Sequence, residues 1–488
     1  MSPELPLVIV GAGIAGVCAA LAAAPRPVLL LSRGGDASGD GTAASAMAQG
    51  GIAAAVGPGD SAALHAGDTV AAGAGHNHFA MVQMLAAAAP DAIVWLQSQG
   101  VLFDRDAEQL QLGREGGHGL ARVVHAGGDR TGAMVMAALR LRLAAANHVH
   151  CREDADVEAL LLRKGRVAGV RVRSANGQCE ELEGNAVVLA TGGIGALFAH
   201  TTNPAGSTGA GLALAIAVGA RTRDLEFVQF HPTALATQGK SLPLITEALR
   251  GAGARLCDDR GKPLMAGLHE LGDLAPRDVA ARRVWQAQRE GTAWLDATAL
   301  PAGWEGGFPT VMATCLAHGI DPRVSMIPVT AAAHFHMGGI ATDADGGTSV
   351  PGLYAVGEVA CNGVHGANRL ASNALLEGVV FGHRLGKQLA AAATLPRGLR
   401  AGGPTTQWCE RGPGLQQGEL AMLRDILWNA AGPVRSAKAI RAGMAAGALL
   451  AANGWQARVA LALLGSALRR GRSLGAHWRE DALTVEAG

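Results

Sequence analysis

The chain opens on LVIV (7 to 10), a glycine turn, and an apolar stretch from Ile14 to about Ala24 that Pro25 stops. That order predicts strand, turn and helix, and VLLLS (28 to 32) supplies the second strand of a βαβ beginning. Residues 157 to 183 alternate apolar and polar positions in VEALLLR, VAGVRVR and QCEELE, broken by KG and ANG. This predicts a β-meander that leads into AVVLATGG (186 to 193), a strand delivering another glycine-rich turn. From about 225 to 336 the pattern changes to mixed short elements rich in loops, which predicts an inserted second domain. GLYAVGEVA (352 to 360) resumes the strand-and-turn pattern of the first domain, and a helix follows from about Ser372 to Ala392. Gly, Pro and Thr around 396 to 406 predict a linker. Beyond it, 415 to 470 is helix-patterned, with LAMLRDILW and ARVALALLGSAL at 3.6-residue apolar spacing. There is no solenoid repeat. The fold class expected is α/β: a Rossmann-like domain with an α+β insertion and a C-terminal helical domain.

A length of 488 residues suits two to four domains. Lys plus Arg (41) nearly balances Asp plus Glu (40), so net charge points to neither nucleic acid nor an anionic membrane. Cys18, Cys151, Cys179, Cys257, Cys315, Cys361 and Cys409 are scattered, with no CxxC pair or companion His at metal spacing. This argues against a zinc site, an iron–sulfur cluster or a disulfide framework, and for free thiols in a reducing, cytoplasmic setting. Leu7 to Ala24 is apolar enough to mimic a signal or membrane segment, but its three glycines and the missing basic n-region speak against that. RRGR (469 to 472) reads as a solvated basic face.

The first turn carries GxGxxG at Gly11, Gly13 and Gly16. The first Gly permits the tight turn, the second lets a pyrophosphate approach the backbone, and the third lets helix pack on strand. Set between strand and helix, the motif predicts a dinucleotide. The acid expected about 20 residues later to hold a ribose is missing, and Ser32-Arg33 stand at the end of the second strand. Arg33 alone suits an NADP 2′-phosphate, whereas the meander favours FAD. A different loop, REGGHG (114 to 119), sets Glu115 among glycines. Read alone it is a solvated charge, because Glu is rarely buried without a partner.

Several segments, in order, resemble one family over nearly the whole chain. They are AMAQGGIAA (46 to 54), EFVQFHPTAL (226 to 235), TEALRGAGARL (246 to 256), APRDVAAR (275 to 282), HFHMGGI (334 to 340), GEVACNGVHGANRLASNALLE (357 to 377) and, weakly, SLGAHWRED (473 to 481). The chain is identified from them as similar to the succinate dehydrogenase and fumarate reductase flavoproteins, and within these to the L-aspartate oxidase branch. The resemblance implies an FAD-binding domain over 1–224 and 337–395, a capping domain over 225–336 and a C-terminal helical domain over 407–488. It implies FAD contacts from Gly11, Ala12, Gly13, Ile14, Ala15 and Gly16 in the first turn, with Ser32 and Arg33 after the second strand. Ala44, Ser45, Ala48, Gln49, Gly50 and Gly51 form a second contacting run. Thr191, Gly192, Glu358, Ser372, Ala374 and Leu375 complete the set.

Three departures from the family pattern matter. Ala44 aligns with the histidine to which succinate-oxidising members attach FAD, so the flavin is expected to be non-covalent. A TGDG-like turn reads TGAG here, with Ala210 in place of an acid that lies near the cofactor. Leu474 stands where the C-terminal pattern usually has Arg.

A C4 dicarboxylate held beside a flavin needs cations and hydrogen-bond donors at both ends. The resemblance implies Arg369 and His334 at the α-carboxylate, and His231 and Thr246 at the distal one, aided by Gln229 and Arg250. Glu115 matches the amino-acid-oxidising version of its loop and would face the substrate amine. Arg277 carries the family's proton-transfer position. The implied reaction is oxidation of L-aspartate to iminoaspartate, with reoxidation of the flavin by dioxygen or fumarate. Its functional partner would be quinolinate synthase, on the route to NAD. The alternative is a soluble fumarate reductase or succinate dehydrogenase flavoprotein subunit, against which Ala44 and Glu115 both count. No metal, nucleic acid or membrane is implied.

Overall fold

The computed structural model describes residues 4–34, 43–300, 304–392 and 406–482. Its central sheet is parallel and five-stranded, in the order Leu353–Ala355, Ala186–Leu189, Leu7–Val10, Val28–Leu31, Val149–Arg152. Leu7–Val10 and Ala186–Leu189 are buried at every position, which is why both read as continuous apolar runs rather than alternating ones. The chain leaves Leu7–Val10 through the glycine turn into the helix Ile14–Ala22. That helix begins where the strand order reverses, the usual crevice for a ligand in an open α/β sheet.

The late helix Asn373–Ala391 packs along Ile14–Ala22 through Gly378, Gly382 and Gly386, spaced one turn apart. A Cβ on Gly382 would lie 2.5 Å from the Ala15 carbonyl oxygen, and one on Gly386 would lie 2.3 Å from that of Ala19. The two backbones therefore touch, and the dinucleotide turn is braced from behind.

The meander forms as expected, with Asp156–Arg163, Arg166–Arg173 and Cys179–Glu183 antiparallel. A fourth strand, Thr406–Glu410, joins it antiparallel to Asp156–Arg163. The expected linker lies outside the described residues up to 405, and the segment after it departs from a wholly helical C-terminal region. TQWCE is too short to show a period, and its pairing edge is more than 240 residues away in sequence. Three helices follow, Gln417–Ala431, Ala437–Ala451 and Trp455–Arg469. Gln416 and Glu419 form a capping box on the first, and Ser436 caps the second.

Within 225–336 the chain builds an antiparallel sheet in the order Val228–Leu235, Ile327–His336, Ala293–Asp296, Arg255–Cys257. Two of its strands are longer than the short elements expected there, because their polar residues face a buried site rather than solvent. The helix Arg277–Gln288 packs on this sheet. Among the described residues one helix, Phe79–Ser98, is long and apolar enough to cross a membrane. Met81, Val82, Leu85, Ala89, Ile93 and Leu96 on it are buried inside the molecule.

Candidate active site

A cavity of ≈ 1200 Å3 runs from the glycine turn at residues 11–13 past the ends of Val28–Leu31 and Ala186–Leu189. Its walls include Gly11, Ala12, Gly13, Ile14 and Ala15, then Ser32 and Arg33. Ala44, Ser45, Ala48 and Gln49 line another side, and Thr191, Gly192, Glu358, Ala374 and Leu375 a third. Ser45 Oγ accepts from the Ile14 N–H at 3.1 Å, holding the helix entrance, and Gly13 at the N-cap offers no side chain of its own. The helix thus presents its N-terminus to the cavity, the arrangement that binds a pyrophosphate. The buried Thr191 Oγ1 and Gln49 Oε1 have no partner within the protein. An elongated dinucleotide with donors and acceptors along its length suits the helix N-terminus, this hydroxyl and this amide oxygen together, and FAD is such a molecule.

Four of the glycine and serine positions expected at the cofactor do not line the cavity. Gly16 packs on the Gly11 carbonyl, with 2.0 Å left for a Cβ, and Gly51 packs on that of Val124. Gly50 faces Glu115 Oε1, 3.0 Å from where its own Cβ would be. Ser372, held at φ 61, donates its hydroxyl to Glu115 Oε2 at 2.5 Å.

Glu115 is not a solvated loop charge. It is 2% exposed, its Oε1 has no hydrogen-bond partner, and its charge acts on Arg369. The bareness of REGGHG has a steric cause: a Cβ on Gly116 would lie 2.2 Å from Glu247 Oε1. His118 of the same loop, 2% exposed, hydrogen-bonds the Ala371 carbonyl through Nε2 at 2.9 Å, tying the loop to the residue before Ser372.

At the cavity's end, His334 and Arg369 form part of the wall. There the guanidinium groups of Arg369, Arg277 and Arg250 converge. Arg277, the first residue of its helix, donates Nε to Glu247 Oε2 at 2.6 Å. Gln229 Oε1 accepts from Arg277 Nη1 at 3.3 Å and from Arg369 Nη2 at 3.2 Å, while Gln229 Nε2 donates to Asn368 Oδ1 and to the Arg369 carbonyl, each at 2.8 Å. Arg369 also lies 4.7 Å above the Phe335 ring. Arg250 faces Glu247 Oε1 at 2.9 Å and donates to the Asp273 carbonyl, so it supports Glu247. Thr246 is buried, and its Oγ1 accepts weakly from the Ala248 N–H at 3.4 Å.

The electrostatics follow from this crowding. Burial pushes the Glu247 pKa up, but Arg277 and Arg250 outweigh it and bring it down to about 2. Burial and Arg277 lower the Arg369 pKa to about 9. His231 falls well below its ordinary value through burial, then Arg277, Arg250 and Arg369. His334 does so through burial, Arg277 and His231. Both rings are therefore neutral, 5.0 Å apart. His231 Nδ1 accepts from the Thr233 N–H at 3.2 Å, which leaves the proton on Nε2, buried and without a partner. His334 Nδ1 is 2.8 Å from Thr202 Oγ1. On the cofactor side, burial raises Glu358 to about 7 against the His336 N–H that donates to it at 2.9 Å.

Sequence reasoning missed Glu247, although it lies inside the quoted segment TEALRGAGARL and three residues before Arg250, a pairing distance on a helix. It also missed Thr202, for which no local signal exists.

Residues 7–375 match the FAD binding domain family. Over 97% of this chain and 88% of the relative, the sequence is 43% identical to the L-aspartate oxidase of Streptomyces coelicolor. Against that of Caulobacter vibrioides it is 45% identical, over 97% of this chain and 93% of the relative. The chain belongs to the L-aspartate oxidase family. Its cofactor is FAD. The fold is also similar to E. coli quinol fumarate reductase, with a TM-score of 0.87 at 28% identity, covering 98% of this chain and 91% of that one. This chain and a fumarate reductase thus share a frame.

Proposed function

We propose that this member of the L-aspartate oxidase family oxidises L-aspartate to iminoaspartate with the cluster around Gln229 as its substrate pocket. The observation that carries the reading is the buried, half-unpartnered carboxylate of Glu115 beside that cluster. Arg250, Arg277 and Arg369 set against Glu247 and Glu115 leave one positive charge. L-aspartate, with two carboxylates and an ammonium, carries one negative charge and offers a cation for Glu115. Succinate carries two negative charges and offers no cation to Glu115 Oε1, so the buried carboxylate repels it without any compensating contact.

Arg369 grips the α-carboxylate with its fork, aided by His334. His231 donates its free Nε2–H to the distal carboxylate, with Thr246 beside it. Glu115 Oε1 pairs with the substrate nitrogen and is the acceptor we assign to the proton that nitrogen must lose as the C=N bond forms. Non-covalently bound FAD supplies the hydride acceptor for the Cα hydrogen. Arg277, oriented by Glu247 and Gln229, stabilises charge at the reacting carbons. Positioning and exclusion of water account for most of the rate these residues provide. Dioxygen or fumarate takes the electrons, and iminoaspartate passes to quinolinate synthase in the cytoplasm for NAD synthesis.

The test is anaerobic bleaching of the flavin in the purified holoprotein by L-aspartate, D-aspartate and succinate. Rapid bleaching by L-aspartate alone is expected. Bleaching by succinate but not by L-aspartate would overturn the assignment.

A further inference from the structure

At the cavity end opposite Arg369 and His334, three charged residues from three separate segments come together: Arg33, Asp156 and Arg411. Arg411 follows the strand Thr406–Glu410, and its N–H donates to the Glu158 carbonyl at 2.9 Å, so the meander sheet sets its position. The side chain is 7% exposed. Nη2 is ion-paired with Asp156 Oδ2, and the guanidinium lies 5.2 Å from the Trp455 ring. Its Nε and Nη1 are buried and have no hydrogen-bond partner in the protein. Buried donors of a cation are costly to leave unpaired. Arg411 also repels Arg33, while Asp156 attracts it, so the three groups lie close enough to share one patch.

The order of groups along the cavity decides which part of the cofactor reaches them. The reacting ring must lie by the substrate cluster, and the pyrophosphate lies at the Gly11–Gly13 turn. The adenosine half is what remains for the far end. We propose that Arg411 binds the adenosine half of FAD, donating Nε–H and Nη1–H to acceptors on its ribose or adenine, with Asp156 positioning the guanidinium. Arg411 lies beyond the residues matched by the FAD binding domain, so the C-terminal region completes the cofactor site. It does so at the end where the second strand lacks the usual ribose-binding acid.

The test strips the flavin from the full chain and titrates FAD and ADP into wild type and Arg411→Gln, with the melting temperature of each flavin-free protein measured alongside. The expected result is that both ligands weaken by about tenfold, in parallel. Unchanged affinities, with or without a lower melting temperature, would mean that the Arg411–Asp156 pair is only structural and would overturn the proposal. Weakened FAD with unaffected ADP would overturn it too, since the contact would then lie elsewhere on the cofactor. If Arg411→Gln does not fold, Arg411→Lys keeps a charge beside Asp156 but loses the fork. It is expected to weaken ADP in the same direction, and wild-type ADP affinity in that variant would sink the proposal.

Discussion

Ser372 and Glu115, 257 residues apart in sequence, are joined by a 2.5 Å hydrogen bond from hydroxyl to carboxylate. The bond occupies Oε2 and leaves the other oxygen of the same carboxylate, Oε1, without a hydrogen-bond partner in the protein. Ser372 reaches it from a left-handed backbone conformation, φ 61, at the start of the late helix, and His118 fixes the neighbouring Ala371 carbonyl. Glu115 is thus clamped from two sides, and in the role proposed for it, pairing with a substrate amine, the clamp keeps the carboxylate from swinging to a nearby arginine.

Replacing that acid separates amine recognition from dicarboxylate binding. Glu115→Gln is expected to lower kcat/KM for L-aspartate by about 100-fold or more, the worth of a charge-assisted contact in a dry site. Fumarate reduction should be unchanged or improved, because the pocket gains one positive charge. Steady-state assays with both substrates read this, and an equal loss on both would remove Glu115 from amine recognition.

Ser372→Ala tests the clamp. It frees Oε2 without removing the charge, so kcat/KM for L-aspartate is expected to fall by about tenfold, with little change for fumarate. In the Glu115→Gln background the same change should have almost no effect, since residues acting through one contact are not additive.

Glu247 holds two arginines, and Glu247→Gln leaves both with less compensation. The loss expected is about 3–5 kcal/mol of stability at pH 7 together with most of the activity. The folded-state pKa of about 2 lies below the ordinary carboxylate value, so this contribution is present above about pH 4.5. It disappears as pH falls towards 2. Urea unfolding at pH 7 and pH 3 should show the gap between variant and wild type shrinking in acid.

Buried neutral histidines set the acid limit of the fold. Burial brings His118 and His336 to about 4 and His477 to about 3. Below about pH 6.5 the unfolded chain binds protons at these rings that the folded chain refuses, so stability falls on acidification, by about 1.4 kcal/mol per pH unit for each ring. Melting temperatures should therefore drop steadily from pH 7 to pH 5, and a flat profile would contradict the neutral assignment.

Gly382→Ala places a methyl 2.5 Å from the Ala15 carbonyl oxygen and must push the late helix off the dinucleotide turn. The expected cost is about 1–3 kcal/mol in stability with weakened FAD binding, read by thermal melts and flavin titration.

Periodicity and turn chemistry were enough to read the βαβ opening, the meander, the late helix and the helical C-terminal region, because each is specified by residues close in sequence. Local spacing also exposed the dinucleotide turn, whose glycines act within six positions of one another. The chain alone did not show that Thr406–Glu410 is a strand or that Arg411 lies at the cofactor cavity, since both depend on an edge supplied by Asp156–Arg163. Nor did it show that Ser372 serves Glu115, or that Glu247 is the counter-ion of Arg277 and Arg250. Burial and charge balance belong to side chains that meet only when distant segments pack, and those contacts determine that Glu115 is buried with one carboxylate oxygen left unpartnered.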